Sequence, residues 1–350
     1  MDRGRSVGLR CRDMRRIALW TASAAFAVAA VAAQVDVTKI GPQPGARVAD
    51  FQLPDQHGKP RTLASLAGPK GTMLVFFRSA DWCPYCKTQL VELQRNLAVI
   101  TREGYGLAAV SYDPPATLRA FAAKHGVTFP LLSDAGSKTV AAWGLVNRAA
   151  TGREAGIPHP GTFILDPAGR VVERAFESAY QERSTATSVL ARLGAPMAPV
   201  RPTPIAAPHL AVQSGASDAV AAPGDRLTLI VDATPGPKIH VYSPEQKNYI
   251  PVSLKLDPSP DWRAHAPRFP PSGTYFFAPL NETVRVYTKP FRVTQDVTLA
   301  LSPELRKRAA AKASIAITGT LHYQACDDAV CYRPESVPLR WTIALTPIVR

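Results

Sequence analysis

"TMLVFFRSADWCPYCKTQLVELQRNLAVITREG", residues 72–104, decides how the first half of this 350-residue chain folds. Thr72 to Phe77 is an apolar run with the look of a buried strand. From Pro84 onward, Leu90, Leu93, Leu97 and Ile100 recur at the three- and four-residue intervals of an amphipathic helix, which Gly104 ends. Between the two stand Cys83 and Cys86, behind Trp82 and in front of Lys87.

Outward from that stretch, "GLAAVSY", "FPLLSD", "GTFILDPAG" and "RVVERAFE" read as strands, the last two joined by the turn Asp166-Pro167-Ala168-Gly169. "PATLRAFAAKHG", "SKTVAAWGL" and "YQERSTATSVLARLG" read as helices, the last stopped at Gly194. A βαβα alternation closed by a hairpin predicts an α/β thioredoxin-like fold over residues 46–194.

Cys-x-x-Cys after a strand and opening a helix suits thiol chemistry. The free N–H groups and positive dipole end at a helix start favour thiolate over thiol, so Cys83 is the expected nucleophile and Cys86, one turn in, the resolving thiol. Pro84 fits the first turn at no hydrogen-bond cost, and Trp82 and Tyr85 are expected to flank the sulfur as a partner-docking surface. A zinc site would need a second pair at matched spacing in the same domain, and Cys326/Cys331 lies some 240 residues away. No metal is expected; a structural disulfide is the remaining alternative.

The chain opens with six Arg ahead of the alanine-rich run Ile17–Ala33 and small residues before Gln34. Seventeen weakly apolar residues are short for a membrane span, so residues 1–33 are expected to be a cleaved secretory signal, with an uncleaved anchor as the alternative. The six Arg and two Asp of that segment carry a net four charges, which brings +14 down to +10 without it. The basic residues are scattered, with no helical stripe and no interleaved aromatic patch, so nucleic acid is not an expected partner. Cys11 leaves with the signal. Four cysteines in two close pairs are too few to staple a scaffold and are expected to be working thiols.

Residues 195–208, "APMAPVRPTPIAAP", hold five prolines and are expected to be a linker. Extended, it would span roughly 40 Å and let one domain swing against the other. From 209 to 350 the runs "RLTLIVDATPG", "KIHVYS", "VSLKLD", "VRVYTKPFRVTQDVTLALS", "KASIAITGTLHYQAC" and "SVPLRWTIAL" predict a β-sandwich, with "SPELRKRAAA" as the helical exception. Cys326 and Cys331 bracket a four-residue turn there, and by physics alone a static surface disulfide and an exchangeable one are equally open.

"ADFQLPDQHGKPRTLASLAG", "LVFFRSADWCPYCKTQL", "VSYDPP" and "GTFILDPAGRV" resemble, in order across 46–193, exported thioredoxin-like redoxins grouped with alkyl hydroperoxide reductase and thiol-specific antioxidant proteins (AhpC/TSA). By that resemblance Cys83 stands where peroxiredoxins have threonine, Cys86 where they have the peroxidatic cysteine, and Pro160 where they have a polarising arginine. Pro160, with Pro158 as second choice, fits instead the substrate-binding cis-proline of thioredoxin-type enzymes. The resemblance therefore implies dithiol–disulfide exchange, with a thiol peroxidase as the alternative. His159, Lys87 and Arg78 are expected to be ordinary surface groups or weak electrostatic helpers, and Asp113 a helix cap.

"YQACDDAVCYRPESVPL" after "KIHVYSPE" resembles the amino-terminal periplasmic domain of the transmembrane disulfide reductase DsbD, an immunoglobulin-like sandwich. The resemblance implies that Cys331 forms the mixed disulfide with a partner and Cys326 resolves it. The family's aromatic cap falls near Leu280, with Phe276 and Phe277 as substitutes. The expected protein is an exported thiol–disulfide oxidoreductase that needs no dissociable cofactor. Cys83/Cys86 would relay with Cys326/Cys331, between periplasmic proteins carrying disulfides and a membrane thiol reductase. A partner-binding module with structural disulfides is the third reading.

Overall fold

The structure is a computed structural model that describes residues 36–194, 200–277 and 281–350. The expected signal, the first five linker residues and Leu280 lie outside the described residues. Among the described residues, no helix is long and apolar enough to cross a membrane.

Strand β1 (Gly71–Phe76) is buried along its whole length because both faces are covered. Met73, Val75 and Phe77 pack toward Leu90 and Leu93 on one side, while Leu74 and Phe76 meet Trp143 and Phe163 on the other. Parallel to β1 run β2 (Tyr105–Ser111) and, beyond it, β3 (Leu131–Ser133); antiparallel to it run β4 (Gly161–Leu165) and then β5 (Val171–Phe176), giving the order β3-β2-β1-β4-β5. Helix α1 (Pro84–Arg102) carries the cysteines at its start, and α2 (Pro115–His125) follows β2. The sheet is the thioredoxin-like fold expected.

The expected last helix is divided. Arg183–Ser184 form a short strand, β6, before Thr185 caps α3 (Ala186–Arg192).

The second half opens earlier than expected. Residues 200–205, assigned to the linker, form an edge strand, β7 (Val200–Ile205), paired antiparallel with β8 (Leu210–Ala216). Prolines 202 and 204 are tolerated there because an edge strand needs only half its donors. Strand β9 (Asp225–Pro235) pairs with β8; β10 (His240–Tyr242) and β11 (Ser253–Leu256) follow; then β12 (Trp262–Arg268), β13 (Gly273–Phe277), β14 (Glu282–Tyr287), β15 (Phe291–Leu299), β16 (Ser314–Tyr323), β17 (Ala325–Cys326) and β18 (Glu335–Leu345). One sheet has the order β12-β15-β9-β8-β7, and the facing one contains β18-β16-β11. The inward residues of β18, Val337, Leu339, Trp341, Ile343 and Leu345, alternate with outward ones and fill the core between the sheets. A small third sheet, β13-β14-β10-β17, carries the cysteine hairpin. Helix α4 (Pro303–Ala310) is the helix expected.

The swinging linker is also corrected: the two halves are packed together. Strand β6 adds to the sandwich sheet by pairing in parallel with the start of β9 (Asp225 with Arg183, Arg226 with Ser184). Thr185 and Thr187 donate to buried Asp218, each at 2.7 Å, and Arg226 bridges Glu177 at 3.2 Å and Asp296 at 2.9 Å. Tyr85 accepts from Arg306 of α4 at 3.0 Å, and Val349 N–H donates to Thr88 at 2.8 Å. Buried polar groups that satisfy each other only when docked make separation costly.

Candidate active site

Loop 78–82 leaves the end of β1 and is fixed from below by Asp113. Its carboxylate accepts from Ser79 Oγ (2.8 Å), Ala80 N (2.7 Å) and Ser111 Oγ (2.8 Å). Asp113 therefore caps no helix, contrary to expectation: α2 starts behind Pro114 without a side-chain cap, and the carboxylate anchors the loop that aims Cys83.

Cys83 is the N-cap of α1, and its sulfur accepts from Cys86 N at 3.4 Å, with Pro84 in the first turn. The helix start thus reaches Cys83 as expected. Cys86 Sγ accepts from Arg78 N at 3.3 Å and lies 3.8 Å from Arg183 Nη2. Burial opposes its ionisation, but the hydrogen bond from Cys83, the Arg183 charge and the backbone N–H groups of Ser79 and Arg78 together bring it down to about 6. The bond Cys83 donates to Cys86, then burial, pushes the Cys83 thiol up. The helix start alone predicts the nucleophile at Cys83; the structure adds, at Cys86, a guanidinium within contact range and backbone donors that the helix start does not supply.

Arg183 comes from β6, 97 residues beyond Cys86 in sequence, and is held by Gln89 Oε1 at 3.0 Å and by the carbonyl of Glu182 at 2.7 Å. No motif marks it. Its side chain lies among the groups where the redoxin half meets the sandwich, and pairing of β6 with β9 fixes its backbone.

Trp82 and Tyr85 flank the cysteines as expected. Trp82 donates to Tyr112 at 2.9 Å, and Arg78 lies between the rings of Trp82 (4.7 Å) and Tyr180 (4.4 Å) while pairing with Glu154 at 2.7 Å. Tyr180, also unforeseen, meets Tyr85 edge-on at 6.1 Å. Pro160 lies one residue before the Gly161–Phe76 pair, at the sheet end from which loop 78–82 departs. His159 is tied through its backbone to Leu145, and Lys87 donates to Asp81 O. Cys83 and Cys86 are both buried.

The second centre is a Cys326–Cys331 disulfide. Cys326 is buried and Cys331 exposed. The Tyr242 hydroxyl lies 3.8 and 3.7 Å from the two sulfurs, and Tyr242 stacks on Tyr249 at 4.3 Å. The aromatics beside the disulfide are thus tyrosines, while of the expected substitutes Phe276 is 58% exposed and Phe277 half-buried. The hairpin is acidic: Asp327 accepts from Ala329 N and Val330 N and from Tyr332, which hold it at about 2, and Asp328 accepts from Tyr275.

The two centres lie at opposite ends of the sandwich. Arg183, on Cys86, pairs with Asp225 at the start of β9, and the strand then runs to Pro235, roughly 33 Å at about 3.3 Å per residue. Just past that far end, His240 pairs with Cys326. Strand β16 gives the same result: Ser314 lies with Ala344 and Val220, whose carbonyl accepts from Arg95, and Tyr323 lies beside the hairpin. A direct relay between Cys83/Cys86 and Cys326/Cys331 of one docked molecule is therefore ruled out by distance. Among the described residues no cluster of His, Cys, Asp and Glu could hold a metal ion.

The AhpC/TSA family matches residues 44–174, and the family described as "Thiol:disulfide interchange protein DsbD, N-terminal" matches residues 209–339. Alkyl hydroperoxide reductase E of Mycobacterium bovis is 34% identical over 155 residues, 43% of this chain and 97% of that protein. Peroxiredoxin Q, chloroplastic, of Populus jackii is 31% identical over 132 residues, 37% of this chain and 58% of that protein. Among solved structures, peroxidoxin BcpB from Mycobacterium tuberculosis is 28% identical, covering 45% of this chain and 99% of that one with a TM-score of 0.38.

Proposed function

Because this chain belongs to the AhpC/TSA family and carries a DsbD N-terminal-like domain behind its redoxin, we propose that its thiol oxidoreductase activity is a two-cysteine hydroperoxide reduction. The observation that carries this reading is Cys86: a buried sulfur held at about 6 beside Arg183, at the position the peroxidatic cysteine takes in the family. The arginine that Pro160 replaces has its charge supplied by Arg183, and the thiol of Cys83 takes over the hydrogen bond of the missing threonine.

In the reaction the Cys86 thiolate attacks a peroxide oxygen, the O–O bond breaks, and the leaving oxygen departs as alcohol or water with a proton. Cys86 becomes a sulfenic acid. Cys83 attacks that sulfur, the sulfenic acid oxygen leaves as water, and the Cys83–Cys86 disulfide forms. Thiol–disulfide exchange with a dithiol protein, a membrane reductase or a carrier fed by one, returns two electrons.

Closure of the site supports a small oxidant, since neither sulfur can meet a protein disulfide without the helix start opening. A second reading, reduction of disulfides in periplasmic proteins, is favoured by the position of Pro160 opposite the loop that leads to Cys83. One experiment separates them: hydroperoxide consumption and insulin reduction are measured side by side with the same dithiol donor. Peroxide consumption that Cys86→Ser abolishes supports the first reading; insulin reduction with no peroxide consumption overturns it. The same proposal puts this chemistry outside the cytoplasm, a reading supported by the arginine-then-apolar leader of residues 1–33. A mature chain starting near Gln34 in the periplasmic fraction is the expected result.

A further inference from the structure

A cleft of about 730 Å³ opens beside the Cys83–Cys86 turn. Pro84 and Tyr85, the two residues between the cysteines, form one wall, and Ala310 of α4 with Pro347, Ile348 and Val349 form an apolar floor. Its charged side chains are Lys124, Arg306 and Arg350, all exposed, and no carboxylate side chain lines it. It therefore fits a ligand that is acidic at the rim and apolar at the tip.

The far end of the same chain carries that chemistry. In a protein of net charge +14, the disulfide hairpin Cys326-Asp327-Asp328-Ala329-Val330-Cys331 holds two carboxylates and no cation, though Arg333 follows it. Val330 is 52% exposed at its tip and Cys331 is exposed beside it. Asp327 is tied into the turn by two backbone N–H groups and Tyr332, so the hairpin is presented in a defined shape.

Cleft and hairpin are complementary in charge and in apolar content, yet they sit at opposite ends of a docked molecule. We propose that the hairpin of one copy docks in the cleft of a second copy, head to tail, and that electrons pass between Cys326/Cys331 and Cys83/Cys86 in trans. This rests on the oxidoreductase reading above and names the redoxin's partner: a second copy of this chain. The contact is heterologous, so it serves transient collision rather than a closed dimer, and the opposite charges speed encounter.

The exchange balances. With the hairpin as dithiol and the redoxin oxidised, the Cys331 thiolate attacks Cys83 Sγ; the Cys331–Cys83 bond forms and the Cys83–Cys86 bond breaks. Cys86 leaves as the thiolate that Arg183 stabilises, and a thiol of low pKa is the better leaving group. Cys326 thiolate then attacks Cys331, restoring its disulfide, and Cys83 departs and takes a proton. Two electrons have moved, and an external protein dithiol recharges the hairpin. Cys83 is buried in the dithiol form, so docking has to draw the first turn of α1 outward. Pro84 and Tyr85, which the hairpin would touch, form that turn.

The test mixes two full-length proteins, both Cys11→Ser. One keeps Cys83 alone (C86S, C326S, C331S) and the other keeps Cys331 alone (C83S, C86S, C326S). Under mild oxidation the expected result is a Cys83–Cys331 heterodimer identified by mass spectrometry. It should form about fivefold more slowly in high salt or with Asp328→Lys, and recover when Lys124→Glu in the first protein is paired with Asp328→Lys in the second. No heterodimer, or one indifferent to salt and charge reversal, overturns the proposal. In a parallel sample, a chain keeping both Cys83 and Cys331 (C86S, C326S) that cross-links within the monomer at every dilution overturns it too. Hydroperoxide consumption by the unaltered protein with dithiothreitol is measured alongside. If that persists while no heterodimer forms, only the trans contact fails; if it and insulin reduction are both absent, the oxidoreductase reading has failed.

Discussion

Replacing Arg183 by methionine removes a charge 3.8 Å from Cys86 Sγ while keeping most of the side-chain volume. A unit charge pair at that distance is worth about 1 kcal/mol in water and about 4 kcal/mol at an effective permittivity of about 20. At about 1.4 kcal/mol per pKa unit, this corresponds to a rise of about 1 to 3 units for Cys86 from its value of about 6. At neutral pH the thiolate fraction then falls from about nine-tenths to half or less. The assay is the ultraviolet absorbance of the thiolate against pH, backed by the pH dependence of alkylation in a Cys83→Ser background to isolate Cys86. Arg183→Lys, which keeps the charge, should recover much of the shift, separating electrostatics from disturbance of the β6–β9 pairing. A Cys86 pKa still near 6 in the methionine variant, with the fold intact, would refute the argument that Arg183 sets it.

Cys86→Ser should abolish hydroperoxide turnover, whereas Cys83→Ser should retain a single stoichiometric turnover and leave a sulfenic acid that dimedone traps. The contact between the two halves should weaken with rising pH. Burial pushes Glu92 up to about 8 and Asp225 up to about 7 and raises Asp218, against the partial relief of Arg95. The docked state thus binds protons that an unfolded chain releases near pH 4, so stability is greatest at low pH and is lost as pH rises toward 8. Thermal unfolding across that range checks this, and Glu92→Gln should flatten the slope. Gly106→Ala would set a Cβ 1.8 Å from the Leu66 carbonyl oxygen in its present position. A loss of about 2 kcal/mol or more is expected in denaturant unfolding, with thiol reactivity unchanged once folded.

Local chemistry was legible wherever neighbours in sequence are neighbours in space. The apolar period of residues 72–104 gave the strand and helix, Pro84 and the two cysteines gave the helix start, and the alternation of β16 and β18 gave the sandwich. The linker misled because a proline-rich run and a proline-bearing edge strand have the same composition. Only pairing with β8 tells them apart.

The sequence by itself determined that two thiol pairs exist, on which folds they sit and that they are spaced for exchange, because helix, strand and turn preferences act over a few residues. Only the tertiary structure set a charge beside Cys86. That contact depends on Arg183, 97 residues away on a strand held at the domain boundary, and electrostatic energy follows distance through space rather than along the chain. It decided as well that the two pairs lie at opposite ends of β9, a strand roughly 33 Å long at about 3.3 Å per residue, once β6 has docked onto its start.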